Sequence, residues 1–147
     1  MNKLHFSIEI NAPRHVVWNV LWNDATFRDW TSVFAEGSYA VSDWNEGSKI
    51  QFLDPKGGNG MSAIIEKKRP AEFMSFRHVA EIRNGQEQPP AGWSGAHEDY
   101  TLRDNRGGTT LSVDLDATDE FRETFEDKFP QALQRVKTLS EMSLGAR

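Results

Sequence analysis

The stretch Thr118–Ser143, TDEFRETFEDKFPQALQRVKTLSEMS, places apolar residues at Phe121, Phe125, Phe129, Leu133, Val136 and Leu139. Steps of three and four residues put these on one face of an amphipathic helix. Strand-like runs separated by turn signals precede it, so the helix is expected to lie across the face of a sheet. A curved sheet packed on a helix commonly leaves a cavity, and small-molecule sites favour such concave apolar places. Pro130 interrupts the pattern. It either kinks the helix after Phe129 or divides the stretch into two helices in series.

Working outward, Leu4, Phe6, Ile8 and Ile10 alternate with His5, Ser7 and Glu9, which predicts a half-buried strand. Asn11-Ala12-Pro13 reads as a helix entry with Pro13 at the first helical position. Val16, Val17, Val20 and Leu21 form the buried face of that helix, with Trp18 and Trp22 beside it, and Asp24 is positioned to cap a second short helix. Strands are predicted at Ser38–Ser42, Ser48–Leu53, Met61–Lys67, Phe73–Ile82, His97–Arg103 and Thr109–Asp116. Residues 83–92 hold Asn84-Gly85, Pro89-Pro90 and Gly92, and predict a long connection rather than a tight hairpin. Asp104-Asn105-Arg106-Gly107-Gly108 is a hairpin signal. The order is one strand, two short helices, six strands and a long helix. It predicts a single α+β domain over residues 1–147 with no repeat or linker.

Composition excludes several functions. Net charge is −5, so the chain lacks the basic footprint of a nucleic-acid binder, and the acidic balance disfavours anionic membranes. There is no cysteine, which removes disulfides, thiolate ligands and a cysteine nucleophile together. No apolar run approaches membrane-spanning length, and the first strand begins without a secretory pattern. A cytoplasmic location is expected.

The chain resembles a known superfamily. Val17-Trp18…Leu21 after the first strand is similar to a "VW..L" helix, and Trp30-Thr31 to the "W" that ends the second helix. Asp43-Trp44-Asn45-Glu46-Gly47-Ser48 resembles a "W..GG" turn, with Ser48 where a second glycine is common. Tyr100-Thr101-Leu102…Gly108-Thr109-Thr110-Leu111-Ser112-Val113 is similar to an "F.L…GGT.L.L" hairpin. These motifs, in this order from Leu4 to about Leu139, are those of the START-like (SRPBCC) helix-grip superfamily. They resemble most its branch named for the activator of the heat-shock-protein ATPase. The resemblance implies a curved antiparallel sheet of about seven strands (β-α-α-β6-α) wrapped around the long C-terminal helix. It also implies that the loop at Asn84–Gly92 borders a cavity. Lipid carriers, hormone receptors, polyketide cyclases and chaperone co-activators all share this fold, so the fold does not convey an activity.

Four histidines are present, at 5, 15, 78 and 97, without zinc-helix spacing or an HExxH motif, so no metal site is expected. Parity on the strand Phe73–Ile82 turns Met74, Phe76, His78 and Ala80 inward. His78 then presents an imidazole to the cavity side, suited to ligand hydrogen bonding or acid–base work, or simply satisfied by a neighbour. Glu98 shares parity with Tyr100 and Leu102, and a carboxylate on an apolar face must be paired, protonated or solvated. His78, Glu98 and Tyr100 are therefore the candidate polar constellation, for orientation of a ligand or for catalysis. Trp30, Phe52, Phe76, Phe121, Phe125 and Phe129 are candidates for the apolar lining, although each would serve equally in an ordinary core. Trp93, between glycines, is a candidate lid, and Trp44 is expected to pin its turn.

No GxSxG is present, and Gly57-Gly58-Asn59-Gly60 lacks the Lys-Ser/Thr of a phosphate loop, so it reads as a hairpin. Nothing demands a cofactor. The leading expectation is a domain binding a hydrophobic or aromatic small molecule. An enzyme of the cyclase or dehydratase type is the alternative, since the resemblance implies that His78 and Glu98 could enolise a ketone or dehydrate an aldol. A third is a chaperone co-regulator or homodimer acting through protein partners.

Overall fold

The computed structural model describes residues 1–145. Strand β1 (Asn2–Ile10) is followed by helices α1 (Arg14–Trp22) and α2 (Asp24–Thr31). Then come β2 (Tyr39–Val41), β3 (Lys49–Leu53), β4 (Gly60–Arg69), β5 (Phe73–Arg83), β6 (Gln86–Glu87), β7 (His97–Asn105) and β8 (Gly108–Ala117). Helix α3 (Asp119–Gly145) closes the chain. The eight strands form one antiparallel sheet in the order β1-β8-β7-β5-β4-β3-β2, with β6 paired to β5. This is the α+β architecture that the strand and helix order predicts, and the helix-grip fold that the resemblance implies.

Alternation in the strands sorts their side chains onto two faces. Cross-strand pairs Phe6↔Val113, Tyr100↔Val113, Met74↔Tyr100 and Ile65↔Phe76 carry one apolar row across the concave face. Helix α3 packs on β1 and on α1 and α2, with lesser contact to β8. It therefore covers the β1 side of the sheet, while α1 and α2 supply the side chains over its middle. Phe129 stacks on Phe6 at 5.2 Å and meets Phe34 at 4.9 Å. Arg135 ties α3 to α2 through both carboxylate oxygens of Asp29, at 2.6 and 3.0 Å.

Several local expectations are corrected. Of the two readings of Pro130, the division into two helices fails: it lies exposed within one continuous α3. Pro13 is the N-cap of α1 rather than its first helical residue, and Asn23, not Asp24, caps α2. Asp24 instead pairs with Arg28 one turn on. Asn84-Gly85 does make a tight turn, both residues at positive φ, and returns the chain as β6. That pattern favours the two-residue hairpin. Arg106-Gly107 does the same between β7 and β8.

A register shift at Ser62/Ala63 also matters. Ala63 pairs with His78 but Ser62 with Ala80, so β5 bulges at Val79. Ala80 consequently joins Ser62 on the convex face, contrary to simple parity. It is buried there with Leu53 and Ile82, outside the main core.

Candidate functional site

Strands β5 and β7 bring the three polar candidates together. Glu98 sits opposite Phe76, and Tyr100 opposite Met74. His78 lies beyond the ladder, where its N–H donates to the Ala96 carbonyl (2.9 Å) and its carbonyl accepts from Gly95 (2.7 Å). His78 and Glu98 are thus diagonal neighbours on one face, close enough for side chains to meet.

The His78 Nε2 lies 3.0 Å from Glu98 Oε1, and the Tyr100 hydroxyl donates to Oε2 of the same carboxylate. Burial alone would raise the Glu98 carboxyl, but the hydrogen bonds from His78 and Tyr100 and the imidazole charge bring it below the ordinary value. Burial and the adjacent carboxylate push the Tyr100 hydroxyl well above its ordinary value, so it stays a donor. An ionised Glu98 accepts from Nε2–H, which leaves Nδ1 bare in the neutral ring. That Nδ1 is buried without a partner. The side chains of His78 and Glu98 keep 15% and 22% of their exposure, so the cluster sits at the rim of the core rather than in its centre.

The aromatic candidates divide into three groups. Phe52 and Phe76 adjoin the polar cluster, with ring centroids 6.0 Å from His78 to Phe52 and 6.3 Å from Phe76 to Tyr100. Trp30 is buried, and its indole N–H donates to the Leu21 carbonyl at 3.0 Å, as a structural tryptophan does. On α3, Phe129 is core, Phe125 is half-buried and packs on it, and Phe121 is 46% exposed. Phe121 therefore lines no enclosed space. Trp93 is half-buried in a turn closed by the Ala96 N–H on its own carbonyl.

A residue that parity left beside the core takes the central place. The Trp22 ring stands edge-on to Tyr100 at 4.9 Å and to Phe76 at 5.4 Å, and also meets Trp30 and Trp44. It fills the space between α1 and the middle of the sheet, whereas the expected cavity lay between the sheet and the C-terminal helix. Two cavities lined by described residues lie outside this space, and neither is between the sheet and α3. One, of about 210 Å³, opens between the end of α1 and the turn carrying Trp44.

The other, of about 630 Å³, is a groove across the convex face, and nothing in the aromatic pattern announced it. Its walls are the outward residues of five strands. His5 Nδ1 meets Asp114 at 2.6 Å, Lys3 meets Asp116 at 2.9 Å, and His97 pairs with Glu66. Burial raises the Asp99 carboxyl there, against a hydrogen bond from Ser75 and the His97 charge, with Asp114 and Glu66 adding to the rise. The signal in the sequence was the charged parity of the same strands. No group among the described residues has an arrangement that could hold a metal ion. No helix among them is long and apolar enough to cross a membrane.

The family model described as "Activator of Hsp90 ATPase homolog 1-like protein" matches residues 11–141. Among curated proteins no sequence matches the chain. The solution structure of the Aha1 dimer from Colwellia psychrerythraea is 18% identical, covers 93% of this chain and 94% of its own, and superposes with a TM-score of 0.72. Protein MLL2253 from Mesorhizobium loti is 15% identical over 96% and 98% of the two chains, with a TM-score of 0.73. DynU16, from the dynemicin biosynthetic locus, is 14% identical over 97% of this chain and 48% of its own, with a TM-score of 0.72. At such identities the likeness is one of fold.

Proposed function

The chain belongs to the Activator of Hsp90 ATPase homolog 1-like family, within the SRPBCC helix-grip superfamily, and from that premise we propose that it binds a small ring-bearing apolar molecule at the rim of the concave face. The ligand carries a hydroxyl or N–H that donates to His78 Nδ1. One observation carries this reading: the Tyr100–Glu98–His78 chain of hydrogen bonds ends on a buried ring nitrogen, Nδ1, with no partner. A buried polar atom left unpaired costs about 1–3 kcal/mol, which a ligand donor offsets. Half-buried Phe52, with its ring centroid 6.0 Å from that of His78, offers an aromatic face to a ring. Entry requires the rim, including the turn of Trp93, to open.

The test uses two probes of similar shape, naphthol and methylnaphthalene, titrated against tryptophan fluorescence. Naphthol is expected to bind about tenfold more tightly, one hydrogen bond's worth. The preference is expected to vanish in His78→Leu. Equal affinity of the two probes for the unaltered protein would refute the anchor.

A second reading, acid–base catalysis, is favoured by the carboxylate behind the imidazole. Glu98 fixes the tautomer and would stabilise the ring once Nδ1 has taken a proton, as a general base must. Removal of a proton next to a ligand carbonyl is the reaction class that this arrangement suits. Under this reading His78→Gln abolishes turnover of a bound ketone while retaining its binding.

A further inference from the structure

The lining of the 210 Å³ cavity at the end of α1 shares no residue with the His78–Glu98–Tyr100 cluster, and Trp22 borders both. Trp18 and Trp22 project from α1 with ring centroids 6.1 Å apart, and Trp44 closes the opposite wall 5.8 Å from Trp22. Lys68 reaches in from β4, its Nζ donating to the Trp44 carbonyl at 2.8 Å, which leaves further N–H groups on the ammonium. Trp22 is only 8% exposed, and its indole N–H is buried without a hydrogen-bond partner. Trp44 is held at a φ of 63°, a left-handed conformation unusual for a bulky residue. Its turn therefore keeps the third indole in the wall at the expense of local strain.

We propose that this cavity is a binding site for a single-ring aromatic carboxylate. The volume equals about seven waters at roughly 30 Å³ each, which suits one ring with one substituent. The tryptophans supply flat apolar faces and the Lys68 ammonium donates to the carboxylate, and a turn of the Trp22 ring would bring its enclosed N–H to the same group. Three tryptophans can also enclose a cation, but the Lys68 charge repels one. Neither nearby acid lines the cavity: Glu46 accepts the Lys68 backbone N–H at 2.8 Å, and Asp43 accepts the Asn45 N–H at 2.9 Å.

Benzoate, benzyl alcohol and benzylamine are the probes, followed through the indole N–H resonances of the ¹⁵N-labelled full chain, with Trp22 assigned from Trp22→Phe. Benzoate is expected to shift the Trp22 resonance downfield and saturably, with the alcohol and the amine weaker by about tenfold or more. Lys68→Gln, which keeps a donor for the Trp44 carbonyl, is expected to weaken benzoate about tenfold with the remaining spectrum intact. His78→Leu is expected to leave benzoate affinity unchanged, which separates this site from the rim site. A Trp22 resonance that does not respond, a benzylamine affinity equal to that of benzoate, an unaltered affinity in Lys68→Gln, or a loss in His78→Leu would each overturn the proposal.

Discussion

The Nε2 of His78 lies 3.0 Å from Oε1 of Glu98, across two antiparallel strands and at the border between the aromatic core and solvent. The relationship depends on the register of β5 against β7, since a shift of one residue would turn either side chain to the convex face. It also depends on the bulge at Val79, which ends the regular alternation just beyond His78. With Tyr100 on its second oxygen, Glu98 is satisfied on both sides, and the unmet hydrogen-bonding capacity of the cluster passes to His78 Nδ1.

Removing the carboxylate tests whether the cluster is formed. Glu98→Leu leaves the buried Tyr100 hydroxyl without its acceptor, and is expected to destabilise the protein by about 1–3 kcal/mol in urea unfolding. An unchanged midpoint would mean that Tyr100 and Glu98 do not pair.

The same carboxylate shapes the response to acid. Its folded pKa lies below the ordinary glutamate value of 4.5, so its ionised form stabilises the fold at neutral pH. That contribution is present above 4.5 and is lost as pH falls through the lower folded value. Glu98→Gln is therefore expected to flatten the pH dependence of stability below 4.5. A slope identical to that of the unaltered protein would contradict the assignment.

On the convex face the sign is opposite. The folded pKa of Asp99 is raised above 3.8, so its ionisation opposes folding, and the penalty is present at neutral pH and absent well below 3.8. Asp99→Asn keeps an acceptor for Ser75 and is expected to raise the thermal midpoint at neutral pH. The gain should disappear in strong acid. A loss of stability at neutral pH would show that the Asp99 charge is needed by its neighbours.

Gly60 opens β4 opposite Leu53, and a Cβ there would fall 1.8 Å from the Phe52 carbonyl oxygen. Gly60→Ala must part β3 from β4, which displaces Phe52 from the rim site and is expected to cost about 3 kcal/mol. Gly58→Ala, in the same hairpin but with open space around it, is expected to change stability by less than about 0.5 kcal/mol. Equal effects of the two changes would refute the close approach.

Much of the fold was legible because local signals agreed. The alternation from Leu4 to Ile10 and the Arg106-Gly107 turn give β1 and the β7–β8 hairpin directly, and periodicity gives α3. Parity likewise placed His78, Glu98 and Tyr100 on one face. The bulge that turns Ala80 outward was hidden, because a bulge is a property of two paired strands and neither shows it alone. Filling of the interior was hidden as well. A tryptophan at Trp22 reads the same whether it lines a space or occupies it, and only the path of α1 over the sheet decides. Phe121 matches the period of α3, yet it lies in the first turn of the helix and is exposed.

The most direct measurement is ¹⁵N NMR of the His78 ring at a pH where it is neutral, before and after saturation with naphthol. The account predicts a proton on Nε2 facing Glu98, a bare Nδ1, and an upfield movement of Nδ1 as it accepts the naphthol hydroxyl. A proton on Nδ1 in the free protein, or an Nδ1 resonance unmoved at saturation, would contradict it.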